Sequence, residues 1–343
     1  MRAPSNRTPW DIRPEDFPEG GEPREQLRHL LHYAILAPST KNTQPWRFRV
    51  DDWAIHVFAD LGRWQEVADR DQRELYLSVG CALENLLVAA TYFEFDALPA
   101  YFPDPDRPAH VATVHFARTG VMRGPADERL LHAIPERLTN HKLFRPEPIE
   151  RAVLDELAAA ADTPDLQVLL SGDDDIRRRA DWLNLEADRA LFSDAAYREE
   201  LGRWVGQGVF GTPWLLSKLG ELVYTYVNVG ERTARRDHEV LLSAPVVGLV
   251  CSRDNDRRSF VRAGQVFERV FLLATAHGLA LQPMSQTLQV PETRRAMRDL
   301  VSPYGEWIPQ QPFRLGFPAE RVRDHTPRRS VAEVTGTEVR FTT

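Results

Sequence analysis

Apolar positions along the chain fall into helical and strand-like runs, and the set of runs comes twice. Leu27, Leu30, Leu31, Ala34 and Ile35 recur at helical spacing until Pro38, whose ring clashes with the preceding turn and supplies no N–H. Strand-like alternation follows at 46–50 and 53–58. Leu75, Leu77, Val79, Ala82, Leu83, Leu86, Leu87 and Ala90 then make a helix apolar over much of its girth, which predicts a central, buried position. Pro99 closes this unit, and 110–117 reads as another strand.

Superposing Gly80 on Gly264 sets Glu84 on Glu268, Ala90 on Ala274, Thr91 on Thr275 and Pro99 on Pro283 without a gap. Leu83, Leu86 and Leu87 coincide with Phe267, Val270 and Phe271, and a strand at 313–317 answers the one at 110–117. Repetition of this kind predicts a duplicated fold. Between the copies lie a helix at 149–161, a strand at 166–170, helical stretches over 174–203 and an aromatic segment at 204–226. The expected organisation is an extended arm at 1–25, a first half at 26–125 and a second half at 126–343 carrying an insertion at about 174–240. Prolines 4, 9, 14, 18 and 23 deny the arm a regular helix, while Trp10, Ile12 and Phe17 predict that it packs on something. The aromatic insertion reads equally as a lid over a site and as a device for burying apolar surface.

Composition narrows the functional classes. With 343 residues, 43% hydrophobic and 27% charged, the chain is large enough for two lobes, and a net charge of −7 argues against a general nucleic-acid surface. Its two cysteines, Cys81 and Cys251, lie in separate apolar stretches, which predicts buried free thiols in a reducing, cytoplasmic compartment. No N-terminal apolar segment reads as a secretory signal, no run reaches the roughly 18 apolar residues of a membrane span, and no metal site is expected. His29 and His32 stand three apart on the first helix with nothing to complete a ligand set, so exposed helix positions are expected.

The decapeptide from Ala37 to Trp46 collects small polar side chains between two prolines. Ser39, Thr40, Asn42 and Gln44 offer the donors and acceptors needed to grip a flat heterocycle with a hydroxylated tail; a turn that merely caps backbone groups uses the same residues. Gly206, Gly208 and Gly211 match a dinucleotide-binding glycine pattern, but helical sequence precedes them where that motif requires a strand. Arg70 and Arg73 sit among Asp69, Asp71 and Glu74, where structural ion pairing competes with a ligand role.

Four blocks together resemble the FMN-binding nitroreductase superfamily, and within it the long, internally fused Acg-like oxidoreductases. They are the corner ending Gln44-Pro45-Trp46; the segment 134–144 around Arg137, Thr139 and Asn140; the stretch from Arg262 through Pro283-Met284-Ser285-Gln286; and 313–317 with Thr326-Pro327-Arg328-Arg329. The departure is His141-Lys142, where such relatives commonly carry Arg. The resemblance implies an α+β, nitroreductase-like fold: a pseudo-dimer in one chain, with central helices and small, mainly antiparallel sheets.

It further implies one FMN per chain, in a site that a monomer completes unaided. Arg137, Arg328 and Arg329 would take the phosphate, Thr139 and Asn140 the ribityl chain, and Pro38, Ser39, Thr40, Asn42 and Gln44 the ring. Backbone amides in the turn of Pro283, Met284 and Ser285 would lie near flavin N5. No side chain is implied as a general acid or base, because the redox chemistry belongs to the cofactor. The implied activity is reduction of aromatic, quinone-like or conjugated small molecules with electrons from NAD(P)H or another donor. The alternative is a protein that sequesters FMN with little turnover.

Overall fold

The computed structural model describes residues 8–120, 124–161, 163–211, 242–320 and 325–335. Two four-stranded antiparallel sheets carry the same strand order. In the first lobe β1 (Trp46–Val50), β2 (Ala54–Ala59), β3 (Phe95–Tyr101) and β4 (His110–Arg118) run in the order β1-β2-β4-β3. In the second, β5 (Leu166–Ser171), β6 (Val246–Ser252), β7 (Ala280–Pro283) and β8 (Ile308–Gly316) run β5-β6-β8-β7. Pro99 lies inside β3 rather than closing the unit, and it is tolerated there because β3 is an edge strand.

Ten helices among the described residues are numbered in chain order: α1 (Pro23–Ala34), α2 (Arg73–Tyr92), α3 (Pro125–Glu136), α4 (Arg151–Ala158), α5 (Asp174–Ser193), α6 (Ala195–Gly206), α7 (Arg257–Ala276), α8 (Gln286–Gln289), α9 (Pro291–Val301) and α10 (Val331–Thr335). Each lobe inserts its long helix, α2 or α7, between its second and third strands, and these two helices pack against each other at the centre. The alignment inferred from sequence has a direct counterpart at their crossing. A Cβ on Gly80 would stand 2.0 Å from the Val261 carbonyl oxygen, and a Cβ on Gly264 would stand 2.0 Å from that of Leu77. Each glycine thus faces the carbonyl three residues before the other, as a twofold-related pair should.

Helix α2 is long and apolar enough to cross a membrane, but 89% of its apolar window is buried inside the protein, as befits a core helix. The described part of the arm packs as expected through Trp10 and Phe17, both buried, although short 3-10 turns shape it and Pro23 opens α1 at its first position. His29 is buried rather than exposed, against Phe17 and Phe93, and burial lowers its pKa to about 4. Among the described residues no His, Cys, Asp and Glu cluster is arranged to hold a metal.

Candidate functional site

The corner after α1 is a strained loop. Lys41, Asn42 and Gln44 adopt φ values of 49°, 55° and 51°, in the left-handed region that non-glycine residues avoid at a cost of about 1–3 kcal/mol each. Local hydrogen bonds hold it: Gln44 N–H donates to Ser39 Oγ at 2.9 Å, and Asn42 N–H donates to Ser39 O at 2.9 Å. Thr40 is tied to the neighbouring elements, donating its N–H to Ser78 Oγ at 3.4 Å and accepting from Gln65 Nε2 at 3.1 Å. Pro38 is half-buried at the loop's entry.

Arg137 and Arg328 reach this corner from the other lobe and from the late turn. Arg137 caps α3, is 2% exposed, and donates through Nη2 to Leu36 O at 2.9 Å. Arg328 donates to the same carbonyl through Nη2 at 3.3 Å, and through Nη1 to Asn42 Oδ1 at 2.8 Å. Trp10 of the arm lies beneath the Arg328 guanidinium, 4.6 Å from it, and donates its ring N–H to Thr326 O. Glu268 supplies a carboxylate to the pair, 3.5 Å from Arg137 Nε but without hydrogen-bond alignment.

The electrostatics of this knot are dominated by two buried guanidiniums against one carboxylate. Two buried guanidiniums share the Leu36 carbonyl, Arg137 alone pairs with Glu268, Arg328 also donates to Thr326 Oγ1 at 2.7 Å, and neither Nε makes a hydrogen bond. Burial lowers the pKa of both arginines, and the charge of Arg137 lowers that of Arg328 further. Burial likewise raises the Glu268 carboxyl to about 7 against the opposing pull of Arg137. In all three groups desolvation outweighs the opposing charges, and for the two guanidiniums an added anion would act against that shift.

Arg329 points elsewhere. Its backbone N–H donates to Gln44 Oε1 at 2.7 Å, and its guanidinium donates to Gln44 O at 3.1 Å and to Asp60 Oδ2 at 3.4 Å. The segment after Arg137 joins β7: Thr139 bridges Leu281, and Asn140 N–H donates to Leu281 O at 3.0 Å. Asn140 uses its side chain on the backbone of Lys142, while Lys142 itself is exposed and paired with Glu320. Pro283 ends β7 opposite Phe313. Met284 spends its N–H on Pro312 O at 2.8 Å, so an amide offered to a ligand by this turn comes from Ser285 or Gln286. Met284 directs its side chain towards Ala180 and Val247, and Ser285 Oγ meets Gln311 Oε1 at 3.3 Å.

Asn42, Gln44, Arg137, Arg328 and Arg329 thus meet at one bonded network, with Thr139 and Asn140 tied to the strand that leads into Pro283. Arg73 pairs with Glu74 at 2.9 Å and Arg70 is exposed, so neither joins it. Sequence reasoning missed Leu36 O and Glu268. Only Glu268 left a signal, as a carboxylate inside the apolar repeat opposite Glu84.

The described part of the insertion lies on the corner. Glu200 of α6 accepts the Val67 and Ala68 N–H groups at 3.0 Å each, the Lys41 ammonium sits 4.2 Å from the Tyr197 ring, and Asn42 Nδ2 donates to Val209 O at 2.6 Å. Helix α6 runs directly into Gly206, which removes the strand that a dinucleotide motif requires. Of the expected lid aromatics Trp204 is buried and Phe210 exposed, while Trp214, Tyr224 and Tyr226 fall outside the described residues.

No family profile matches the chain. A Mycobacterium tuberculosis protein provisionally named an NAD(P)H nitroreductase is 29% identical over 90% of this chain and 91% of its own length. The protein named acg from the same organism, with the same provisional description, is 26% identical over 90% and 94%. A solved structure from Anabaena variabilis, provisionally named a nitroreductase, superposes with a TM-score of 0.52 over 92% of this chain and 91% of that one, at 11% identity. The chain is thus similar along nearly its whole length to Acg and its nitroreductase-named relative, and it has the two-lobed nitroreductase fold. That last superposition spans both lobes, so the duplicated α+β architecture of this nitroreductase-fold chain is shared along nearly its whole length.

Proposed function

We propose that the chain binds one FMN between the corner of its first lobe and the arginine segment of its second, and works as an FMN-dependent oxidoreductase. One observation carries the reading: Arg137 and Arg328, from distant parts of the sequence, are buried beside the strained loop of Asn42 and Gln44 with Nε groups that make no hydrogen bond, that of Arg137 facing Glu268 at 3.5 Å. That donor set suits a phosphate dianion, for which charge-assisted hydrogen bonds contribute roughly 1.5–3 kcal/mol each. When bound, FMN would supply hydride and electron transfer. The chain's residues would bind and orient it: Arg137 and Arg328 at the phosphate, Asn42 and Gln44 at the ring edge, and the turn at Ser285 and Gln286 presenting amides. Arg329 would hold the corner's shape through Gln44 rather than contact phosphate.

The acceptors proposed are aromatic, quinone-like or conjugated small molecules, with NAD(P)H or another donor supplying the electrons. The docking of α6 beside the corner supports a second reading, FMN retention with little nicotinamide turnover, because Tyr197 and Val209 close over Lys41 and Asn42 while Glu200 fastens the helix to Val67 and Ala68. Purified protein should be yellow, with absorbance near about 450 nm, and should retain FMN through gel filtration. Oxidation of NADH or NADPH with a nitroaromatic or quinone panel supports turnover; retention without oxidation supports sequestration. Colourless protein that fails to bind added FMN refutes both.

A further inference from the structure

The two sheets share a strand order but not the chemistry of their outer faces. The first sheet turns Arg47, Arg49, His56 and His115 outward. Outward residues of the second include Val247 and Leu249, and α5 and α9 roof them. The roof leaves an apolar cavity of about 80 Å³ between the sheet, α5 and α9.

Its lining is apolar apart from Ser171 and Tyr304, neither of them buried, and Tyr304 is 53% exposed. No charged side chain lines it. Interiors rarely keep voids larger than a water molecule, and a space without polar partners gives water nothing to bind. The lining atoms forgo dispersion contacts that an apolar guest would restore. Two of the chain's four methionines, Met284 and Met297, form part of the wall. Their unbranched, polarisable side chains adapt to irregular guests and make favourable contacts with aromatic rings.

We infer that this cavity is a second binding site, taking an uncharged, ring-sized hydrophobic group. The roof distinguishes it from the corner, since none of Asn42, Gln44, Arg137 and Arg328 lines it.

Toluene is the probe, with benzoate as a charged control of similar shape. In NMR spectra of the full chain labelled at methionine methyls, Met284 and Met297 should shift saturably with toluene. At ten times Kd, toluene should raise Tm by about 2 °C, from RT ln(1 + [L]/Kd) over the unfolding entropy of a chain this long. Benzoate should do neither. Ala180→Phe should fill the space and remove the toluene response. If that variant does not fold, the methyl shifts of the wild-type chain decide the matter alone. Shifts that do not saturate, that are missing at Met284 and Met297, or that benzoate reproduces overturn the inference.

Discussion

Gly80→Ala tests the central packing most directly. The new Cβ would lie 2.0 Å from Val261 O and 2.9 Å from Val261 C, both backbone atoms that cannot rotate away. Restoring a contact of about 3.4 Å requires the helices to part by roughly 1.4 Å, enough to forfeit much of the dispersion well along the crossing. Overpacking of this kind costs about 1–3 kcal/mol, and the immobile backbone places this case at the upper end. Alanine's better helix propensity returns about 1 kcal/mol, leaving a net loss of ~2 kcal/mol. At about 2.1 cal/mol/K per residue the chain's unfolding entropy is about 0.7 kcal/mol/K, so calorimetry should show Tm falling by about 3 °C. Gly264→Ala should cost a similar amount, because its Cβ meets Leu77 O at the same 2.0 Å. The double variant should cost less than the sum, since the second methyl enters a gap the first has already opened. A neutral or stabilising Gly80→Ala would show that propensity wins and that the helices do not approach this closely.

Three further outcomes follow from buried groups. The raised Glu268 pKa means that its ionisation disfavours the folded state, so this group's contribution to stability falls as pH rises from its unfolded value of 4.5 through about 7. The stability of the flavin-free wild type relative to Glu268→Gln should therefore drop by up to ~3 kcal/mol across that window, and parallel pH profiles from thermal melts would contradict the assignment. Glu200→Gln replaces one of two acceptor oxygens with a donor facing a backbone N–H, at a cost of about 1–3 kcal/mol. Hydrogen exchange at Val67 and Ala68 should accelerate at least tenfold, and unchanged protection would show that α6 does not dock through this carboxylate. Burial raises both thiol pKa values, so Cys81 and Cys251 should be inert to Ellman's reagent in the native protein, with two thiols appearing on unfolding.

What the sequence makes legible follows from where the physics is local. The apolar girth of α2, the stop at Pro38 and the glycine alignment are written in residue spacing, and the fold follows them closely. Strand β6 and the short β7 escape a pattern reading because buried strands lose polar alternation and four residues carry too little of it. Pro99 misleads for a related reason: its tolerance in β3 depends on an edge position, which is a property of the whole sheet.

The site divides along the same line. The family resemblance, rather than residue types alone, brings the Asn42 and Gln44 corner together with Arg137, Arg328 and Arg329 as expected partners for one ligand. Residue types do not reveal that Leu36 O is the point where both guanidiniums meet, since every residue has a carbonyl and only the chain path selects one. Nor do they separate Arg328 from Arg329, whose side chains leave one turn in different directions, the first towards Asn42 and the second towards Asp60. Adjacent residues in an extended turn diverge by construction, so a pair of neighbouring arginines there more readily serves two functions than one. In this chain the first joins Asn42 and the Leu36 carbonyl at the buried corner, and the second is bonded to Gln44, whose left-handed conformation shapes that corner.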